Sequence, residues 1–387
     1  MHKIRIIIYI LILSALPVAV PEAHGITAIS HTPQSYSSEI AARFNKAVEL
    51  QRKGNLTEAE REYRAVLSEA PDYAEAHANL GALLIRLDRY EEAVRSYETA
   101  LKLAPNLSPI LLNLGIAHYR KLEFEKAVVT FQRFLEASPS NPQATQLTAL
   151  ALVELGRDEE ALKYLDQALS SAPHDPALLY ATGLACLRLE KPYLNSIIRS
   201  LAEAPGGLAA SRLLRGQQLL KRFEFEKAVE ELAAAAKLNP DLPRVQYSLG
   251  LSYYKLGRTK EASAAFEAEL LKSPQDFSTL YYSAYFREEI GDLGGAHKNI
   301  DLALVIDAES PEANALLGKI LFKEGKVAEA VKPLERAVAK DPVDPDRRYL
   351  LGRVYLKLGR KEDATREFNE SKRLRAQQVE KDRSKPM

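Results

Sequence analysis

Residues 74–107 read AEAHANLGALLIRLDRYEEAVRSYETALKLAPNL. Apolar residues recur in this stretch at intervals of three or four, which is the spacing of one face of an α-helix. They are Leu83, Leu87, Tyr90, Val94, Tyr97 and Leu101. Pro105 lies beyond the last of them, where it prevents the helical pattern from continuing. The stretch therefore predicts two helices joined by a short turn, followed by a break in the chain.

The same frame returns along most of the chain, and its most regular position is an alanine. Nine alanines keep an interval of 34 residues in two series: Ala59, Ala93, Ala127 and Ala161, then Ala228, Ala262, Ala296, Ala330 and Ala364. Seven glycines lie twelve residues before an alanine position, where one helix must let another approach closely. Six more lie five residues before it, in the predicted turn. Seven prolines lie twelve residues after it and end the second helix.

This frame resembles the tetratricopeptide (TPR) repeat, and the resemblance spans residues 40 to about 374. It implies an all-α fold, a TPR α-solenoid in which ten helix–turn–helix repeats form a right-handed superhelix, with the first helices lining a concave groove. The ten units begin near Ile40, Ala74, Ser108, Pro142, Pro176, Ala209, Pro243, Phe277, Pro311 and Pro345. The sequence departs from the family at the fourth position, where the usual large aromatic is replaced by residues such as Arg43, His77 and Leu111.

The start of the chain differs from the repeats. Basic residues at positions 2, 3 and 5 precede an apolar run over 6–16, and small residues follow near 23–25. This pattern predicts a signal peptide over 1–25, and hence an exported, periplasmic or secreted protein. The alternative is an uncleaved N-terminal anchor, the one case in which we expect contact with a membrane. Residues 26–39 are rich in Ser and Thr and are predicted to be a linker.

The repeats fall into two predicted blocks, 40–205 and 209–374, each of five units. The fifth unit is degenerate: it is one residue short, it has Lys191-Pro192 at the turn, and it ends at Pro205-Gly206-Gly207. We expect a bend or hinge there; the alternative is a diverged repeat that packs normally. The basic segment 375–387 is predicted to cap the open end of the solenoid.

Catalysis is not indicated. The chain has 53 basic and 52 acidic residues, a net charge of +1, which does not favour a nucleic-acid partner. Its single cysteine, Cys186, excludes an internal disulfide framework and a cysteine zinc cluster. No phosphate-binding glycine loop, nucleophile elbow or metalloprotease motif occurs in the sequence. We therefore expect no enzyme activity, no cofactor and no metal.

Two sets of groove residues are candidates for binding. By the resemblance, Asn45, Asn79 and Asn113 occupy the sixth position of units one to three, and Arg52, Arg86 and Arg120 occupy the thirteenth. Amides can pair with both the N–H and the C=O of an extended peptide, and guanidinium groups can hold carboxylates. Asparagine is also common at this position of the repeat in general, so a purely structural role stays open.

The second set lies in units seven and eight. Tyr247, Tyr254, Tyr281, Tyr282 and Tyr285 fall on first helices, flanked by Arg244, Lys255, Lys319 and Lys323. Such a patch suits a peptide with apolar anchors or the face of a sugar, unless the rings only fill the core. The sequence thus predicts a cell-envelope scaffold that binds an extended segment of a partner protein, or alternatively an accessory subunit for polysaccharide assembly or export.

Overall fold

A computed structural model describes residues 36–105 and 107–383. This part of the chain forms twenty α-helices and no strands, in ten successive pairs. The first helices of the pairs are α1 (Ser38–Arg52), α3 (Ala74–Arg86), α5 (Ser108–Arg120), α7 (Pro142–Glu154), α9 (Pro176–Arg188), α11 (Leu208–Lys221), α13 (Val245–Lys255), α15 (Phe277–Glu289), α17 (Pro311–Lys323) and α19 (Pro345–Lys357). The second helices are α2 (Leu56–Glu69), α4 (Tyr90–Leu103), α6 (Phe124–Ala137), α8 (Asp158–Ser171), α10 (Leu194–Glu203), α12 (Phe225–Leu238), α14 (Thr259–Leu270), α16 (Leu293–Ile306), α18 (Val331–Lys340) and α20 (Lys361–Arg383).

Polar caps and prolines start many of the first helices. Asp175 accepts hydrogen bonds from the N–H groups of Ala177 and Leu178, at 2.8 and 2.9 Å. Pro176 takes the first helical position, where a backbone N–H would have no partner within the helix, so the missing N–H of proline removes no hydrogen bond. Seven of the ten predicted starts coincide with the observed ones, including those of α7, α9, α17 and α19 at proline. α1 begins at Ser38, so the last two residues of the predicted linker are helical. The rest of that linker up to residue 35, and the predicted signal peptide over 1–25, lie outside the described residues.

The two helices of a repeat approach closely at a glycine. A glycine in the first helix faces a large side chain sixteen residues later in the second helix. The pairs are Gly81 with Tyr97, Gly115 with Phe131, Gly216 with Leu232, Gly250 with Phe266, Gly318 with Leu334, and Gly352 with Phe368. A Cβ on Gly250 would lie 2.8 Å from two ring carbons of Phe266, well inside van der Waals contact. The close approach that we expected at these glycines is present.

The turns between the paired helices use left-handed backbone. Glycine takes this conformation in six of them, for example Gly257 at a φ of 69°. Four turns place a residue with a side chain in the same region, where the Cβ crowds the backbone. These are Asp88, Leu122, Glu190 and Phe223. Phe223 has a φ of 61° and is 77% exposed, so its ring does not compensate for this conformation through burial.

The fifth repeat departs from the others. Its second helix, α10, has ten residues. The side chain nearest to Gly183 is Leu214 of α11, and Ile197 of α10 is at an ordinary van der Waals distance of 3.5 Å from where a Cβ would lie. Leu194, Ile198 and Leu201 are nonetheless buried, and Cys186 is buried with them. The hinge proposed for this repeat stays a prediction.

The described residues divide into two compact units, one ending at Leu214 and the other beginning at Arg215, a boundary that lies within α11. Each unit is a stack of helix pairs with a continuous apolar interior. The predicted blocks 40–205 and 209–374 stay predictions, and the predicted C-terminal segment from 375 continues α20 as far as Arg383. Among the described helices, none combines the length and apolar content that crossing a bilayer requires.

Candidate interaction surface

The asparagines of units one to three differ in their exposure. Asn45 is exposed on α1. Asn79 and Asn113 are 2% and 5% exposed, and both take part in polar interactions. The three amides therefore do not form a uniformly accessible row, because the same repeat position is exposed in α1 and enclosed in α3 and α5. Their use in peptide binding stays a prediction.

The three arginines of the same units are exposed at the C-terminal ends of α1, α3 and α5. Arg86 donates from Nη1 to the backbone oxygen of Gln51 at 3.2 Å, which links the first two repeats. A cation at this end of a helix also stabilises the helix dipole. Arg52, Arg86 and Arg120 thus have a structural explanation besides the predicted grip on carboxylates.

The predicted tyrosines of the second unit come together. The ring of Tyr254 on α13 lies 5.9 Å from that of Tyr285 and 6.3 Å from that of Tyr282, both on α15. Tyr247 lies 6.1 Å from Tyr282, and Tyr281 lies 5.4 Å from it. All five rings are half-buried. We call Tyr247, Tyr254, Tyr281, Tyr282 and Tyr285 the tyrosine surface.

Buried phenylalanines support this surface from below. Phe266 and Phe286 are fully buried and stack on each other at 5.6 Å, with Tyr282 stacked on Phe266 at 5.1 Å. Phe266 is also the side chain that covers Gly250. The tyrosine surface is therefore the outer layer of the core between α13 and α15 rather than a set of independent side chains. The five rings thus pack against the core and are also partly exposed, and their use in ligand binding stays a prediction.

Cations lie over three of the rings. The guanidinium of Arg244 stands 3.7 Å from the ring centre of Tyr247, the ammonium of Lys255 lies 5.3 Å from that of Tyr254, and the ammonium of Lys319 lies 5.8 Å from that of Tyr285. These distances are typical of cation–π contacts. The surface is thus both aromatic and positively charged.

A buried carboxylate holds the start of α13. Glu269 is 1% exposed and accepts hydrogen bonds from the backbone N–H groups of Arg244 and Tyr247, at 3.1 and 3.2 Å. Burial raises the pKa of Glu269, against the opposing effect of Arg244 and these hydrogen bonds. Arg244 has left-handed backbone at a φ of 64° and pairs with Asp276 at 3.1 Å. The first turn of α13, which contains Tyr247, is therefore held in place by charged groups on α14 and before α15.

A second network fixes α15. Arg287 donates to both carboxylate oxygens of Glu267 at 2.7 Å, and to Asp292 at 2.6 Å. The hydrogen bond from Arg287 holds the pKa of Glu267 below its usual range in spite of burial. The bidentate pair joins α14 to α15 with defined geometry. It keeps the helix that carries three of the five tyrosines in register with its neighbour.

Glu288, on α15, is fully buried and faces two lysines of α17. Lys319 lies 2.7 Å from one of its oxygens, and Lys323 lies 2.5 Å from the other. Burial is the largest single effect and acts to lower the pKa of Lys319, but the hydrogen bonds and charges of Glu288 and Glu289 together outweigh it, so the pKa is raised. Burial also raises the pKa of Tyr281 to about 12.

Histidines and acidic residues elsewhere in the described part of the chain do not form a catalytic or metal-binding cluster. His118 is buried and bonds through Nδ1 to Glu123 at 2.7 Å, which is a local contact between a first helix and its turn. Within the described residues, no group of three or more His, Cys, Asp or Glu side chains is placed to hold a metal ion.

Family models match three parts of the chain. The model described as Cilia and flagella-associated protein 70 middle TPR-like domain matches residues 45–170, and the model described as TPR repeat matches residues 216–257. The model described as Anaphase-promoting complex, cyclosome, subunit 3 matches residues 293–371. Together with the paired helices, these matches show that the chain is a TPR repeat protein with an all-α TPR solenoid fold, a fold class that serves generally as a scaffold for protein–protein interaction.

Solved structures with a similar arrangement include the human IFIT1 dimer with m7Gppp-AAAA, 17% identical, covering 89% of this chain and 91% of that chain with a TM-score of 0.48. A monomeric IFIT1 mutant with Gppp-AAAA is also 17% identical, with coverages of 88% and 91% and a TM-score of 0.48. The crystal structure of MamA is 16% identical, with coverages of 43% and 96% and a TM-score of 0.40. No curated protein matches the sequence.

Proposed function

We propose that this protein is a non-enzymatic scaffold of the cell envelope, and that it binds an extended segment of a partner protein across the first helices of its TPR repeats. The tyrosine surface is the proposed contact site. The envelope location rests on the pattern of residues 1–25 and on no structural observation.

The observation that carries the proposal is a half-buried array of tyrosines on two adjacent first helices. Each ring offers apolar area together with a hydroxyl, the combination enriched at the centres of protein interfaces. Because Phe266 and Phe286 hold the rings from below, the array is ordered before a ligand arrives. Less side-chain entropy is then lost on binding than with flexible side chains.

A peptide-display selection on the full chain tests the proposal. We expect enrichment of extended sequences with regularly spaced apolar anchors. The Tyr254→Ala/Tyr285→Ala variant should lose binding of these sequences by at least about tenfold while its far-ultraviolet circular dichroism stays that of a folded helical protein.

The comparison variant replaces Asn45, Asn79 and Asn113 by Ala, and its far-ultraviolet circular dichroism is measured as well, because Asn79 and Asn113 are buried. If the selected peptides lose affinity in this variant and keep it in the tyrosine variant, binding takes place in units one to three and the tyrosine surface is not the site. If neither variant changes binding, the groove proposal itself is wrong.

Export is tested separately in a bacterial host. Cleavage after residue 25 would remove the segment 1–25 and produce a lighter protein in the periplasmic fraction. A full-length protein in the cytosolic fraction would contradict the proposed location, and a full-length protein in the membrane fraction would support the uncleaved anchor.

The half-buried tyrosine rings also favour a second candidate function, an accessory role in polysaccharide assembly or export. Aromatic faces with hydrogen-bonding hydroxyls suit sugar rings. Because the chain contains no Trp, its intrinsic fluorescence comes from its 18 tyrosines. Titration with an acidic and with a neutral polysaccharide should change this fluorescence if the role is correct, and an unchanged signal would exclude it.

A further inference from the structure

We propose that the partner segment is acidic, with Asp and Glu side chains next to its apolar anchors. This inference rests on the proposed function and names the chemistry of the partner. It comes from a strip of cations that continues from the tyrosine surface across the first helices of the last four repeats. The strip consists of Lys255, Lys319, Lys323, Arg353 and Lys357.

Direct contacts show that the strip is continuous. Tyr254, next to Lys255 on α13, lies 5.9 Å from Tyr285 on α15. Tyr285 lies under the ammonium of Lys319 on α17. Further along α17, the ring of Phe322 lies 5.1 Å from the guanidinium of Arg353 on α19. Lys357 is four residues beyond Arg353 and so shares its helix face.

The strip has a net positive charge. Of its five cations, Lys319 and Lys323 pair with the carboxylates Glu288 and Glu289 on α15. Five cations against two carboxylates leave an excess of three, whereas the whole chain has a net charge of +1. Lys319 and Lys323 share the buried Glu288. Lys255, Arg353 and Lys357 are exposed, and within the described part of the chain no carboxylate lies within ion-pair distance of any of them.

These three cations would be neutralised by a ligand with carboxylates. Their neighbours are aromatic rings, so a segment that alternates acidic and apolar side chains would match both features of the surface. Arg353 can take a carboxylate in a bidentate pair, and the lysines can each take one as a point charge. Such complementary charge favours encounter and selects between partners.

Two observations favour an acidic peptide over single-stranded nucleic acid, which also binds aromatic and basic surfaces. The rings meet edge to face, at 67° between Tyr254 and Tyr285 and 69° between Tyr247 and Tyr282, so they do not offer the parallel platforms on which successive bases stack. In addition, Glu289 pairs with Lys319 at 3.2 Å and Glu288 with Lys319 and Lys323, so the strip has too few available cations for a continuous phosphate backbone, whereas a peptide of alternating acidic and apolar residues needs fewer.

Binding of labelled synthetic peptides to the full chain tests the inference. One probe is a nine-residue peptide in which Glu and Asp alternate with Phe and Leu. Its partner has Gln and Asn in place of the acids. At about 50 mM salt we expect the acidic peptide to bind at least tenfold more tightly, and we expect most of this advantage to disappear near 0.5 M salt because exposed charges are screened.

Variants locate the effect. Lys255→Gln/Arg353→Gln/Lys357→Gln should lower the affinity for the acidic peptide about tenfold and leave that for the amide peptide unchanged. None of these residues holds a carboxylate, so the fold should be kept. The control, Lys237→Gln/Lys260→Gln/Lys298→Gln, removes the same charge from exposed positions on second helices and should leave both affinities unchanged.

The outcomes separate the two proposals. If both peptides bind equally to the wild-type chain and both are lost in Tyr254→Ala/Tyr285→Ala, the inference is overturned and the peptide-binding function stands. If the control variant loses as much affinity as the strip variant, the effect comes from overall charge and the inference is wrong. Tighter binding of a labelled twelve-nucleotide uridine RNA than of the acidic peptide would also overturn it. If neither peptide binds, both proposals fail.

Discussion

Replacing Gly250 with alanine should destabilise the helix pair α13–α14. In an ordinary helix this change is stabilising by about 0.8–1.0 kcal/mol, because alanine has the higher helix propensity. At Gly250 the new Cβ would lie 2.8 Å from two carbons of the Phe266 ring and 3.0 Å from a third. Carbon atoms in good contact lie roughly 3.5–4.0 Å apart, so the ring must move by several tenths of an ångström.

That movement is costly because Phe266 is enclosed. Its ring is fully buried and stacks on Tyr282 and Phe286. Inserting a methyl group into a well-packed core typically costs about 1–3 kcal/mol. After subtraction of the gain in propensity, we expect Gly250→Ala to lower the free energy of unfolding by about 1 kcal/mol.

The assay is urea unfolding followed by circular dichroism, with hydrogen exchange of the amides of α13 and α14 as a local measure, because repeat arrays need not unfold in one step. Gly294 provides the control. It lies in α16, and a Cβ there would meet no atom within 4 Å. Gly294→Ala should therefore leave stability equal or raise it by about 0.5 kcal/mol.

A compensating change sharpens the test. Phe266→Leu alone should be destabilising, yet in the Gly250→Ala background part of its cost should disappear, because the smaller side chain leaves room for the methyl group. The reasoning is refuted if Gly250→Ala is as stable as Gly294→Ala, or if the two changes at Gly250 and Phe266 are simply additive.

Three further predictions concern turns, acid stability and a helix start. Phe223→Gly should raise the free energy of unfolding by about 1 kcal/mol in urea titrations, since it relieves left-handed backbone at an exposed side chain; a loss of stability would show that the ring contributes packing. Burial alone would raise the pKa of Glu123, but hydrogen bonds, that of His118 first among them, lower it to about 2. The stability that this pairing contributes is therefore complete above the unfolded pKa, about 4.3, and is lost as the pH falls towards 2. Glu123→Gln should flatten the melting temperature between pH 5 and 2 relative to wild type, and parallel curves would contradict this. Glu269→Ala should cost about 2 kcal/mol, because two buried N–H groups at the start of α13 lose their acceptor. Exchange of these amides that is no faster than in wild type would contradict the assignment.

The 34-residue period predicted the fold in detail because each repeat specifies its own packing. Proline at the first helical position and glycine at the close approach are local signals, and each was found where its physical role requires it, as at Pro176 and Gly250. The exception is the fifth repeat, where Gly183 is covered by Leu214 from beyond the repeat. No period could predict this, because the partner does not follow the common spacing.

The candidate site was predictable only in part. The tyrosines could be placed on first helices, but Asn45, Asn79 and Asn113 share one repeat position and still differ in exposure. The 34-residue period predicts which helix face a residue lies on, but it does not predict the exposed fraction of the side chain, which depends on the neighbouring repeats. Arg353 and Lys357 of the proposed strip occupy the ninth and thirteenth positions of the last repeat, as Lys319 and Lys323 do in the preceding one, so the period itself contains the signal that places them on one helix face.

The contacts between a glycine of one helix and a large side chain of its paired helix also have a mechanical consequence. In six of the ten described hairpins, a side chain of the second helix packs on a glycine of the first helix sixteen residues earlier, so these hairpins are held together by a contact of their own. A chain pulled from its ends should then yield one hairpin at a time, each releasing roughly 120 Å of contour. In the fifth hairpin the side chain nearest to the glycine is Leu214 of the next repeat, and the hairpin's own second helix contributes only the more distant Ile197. Under load this hairpin would unfold first, and the force on the repeats on either side would fall while it extends.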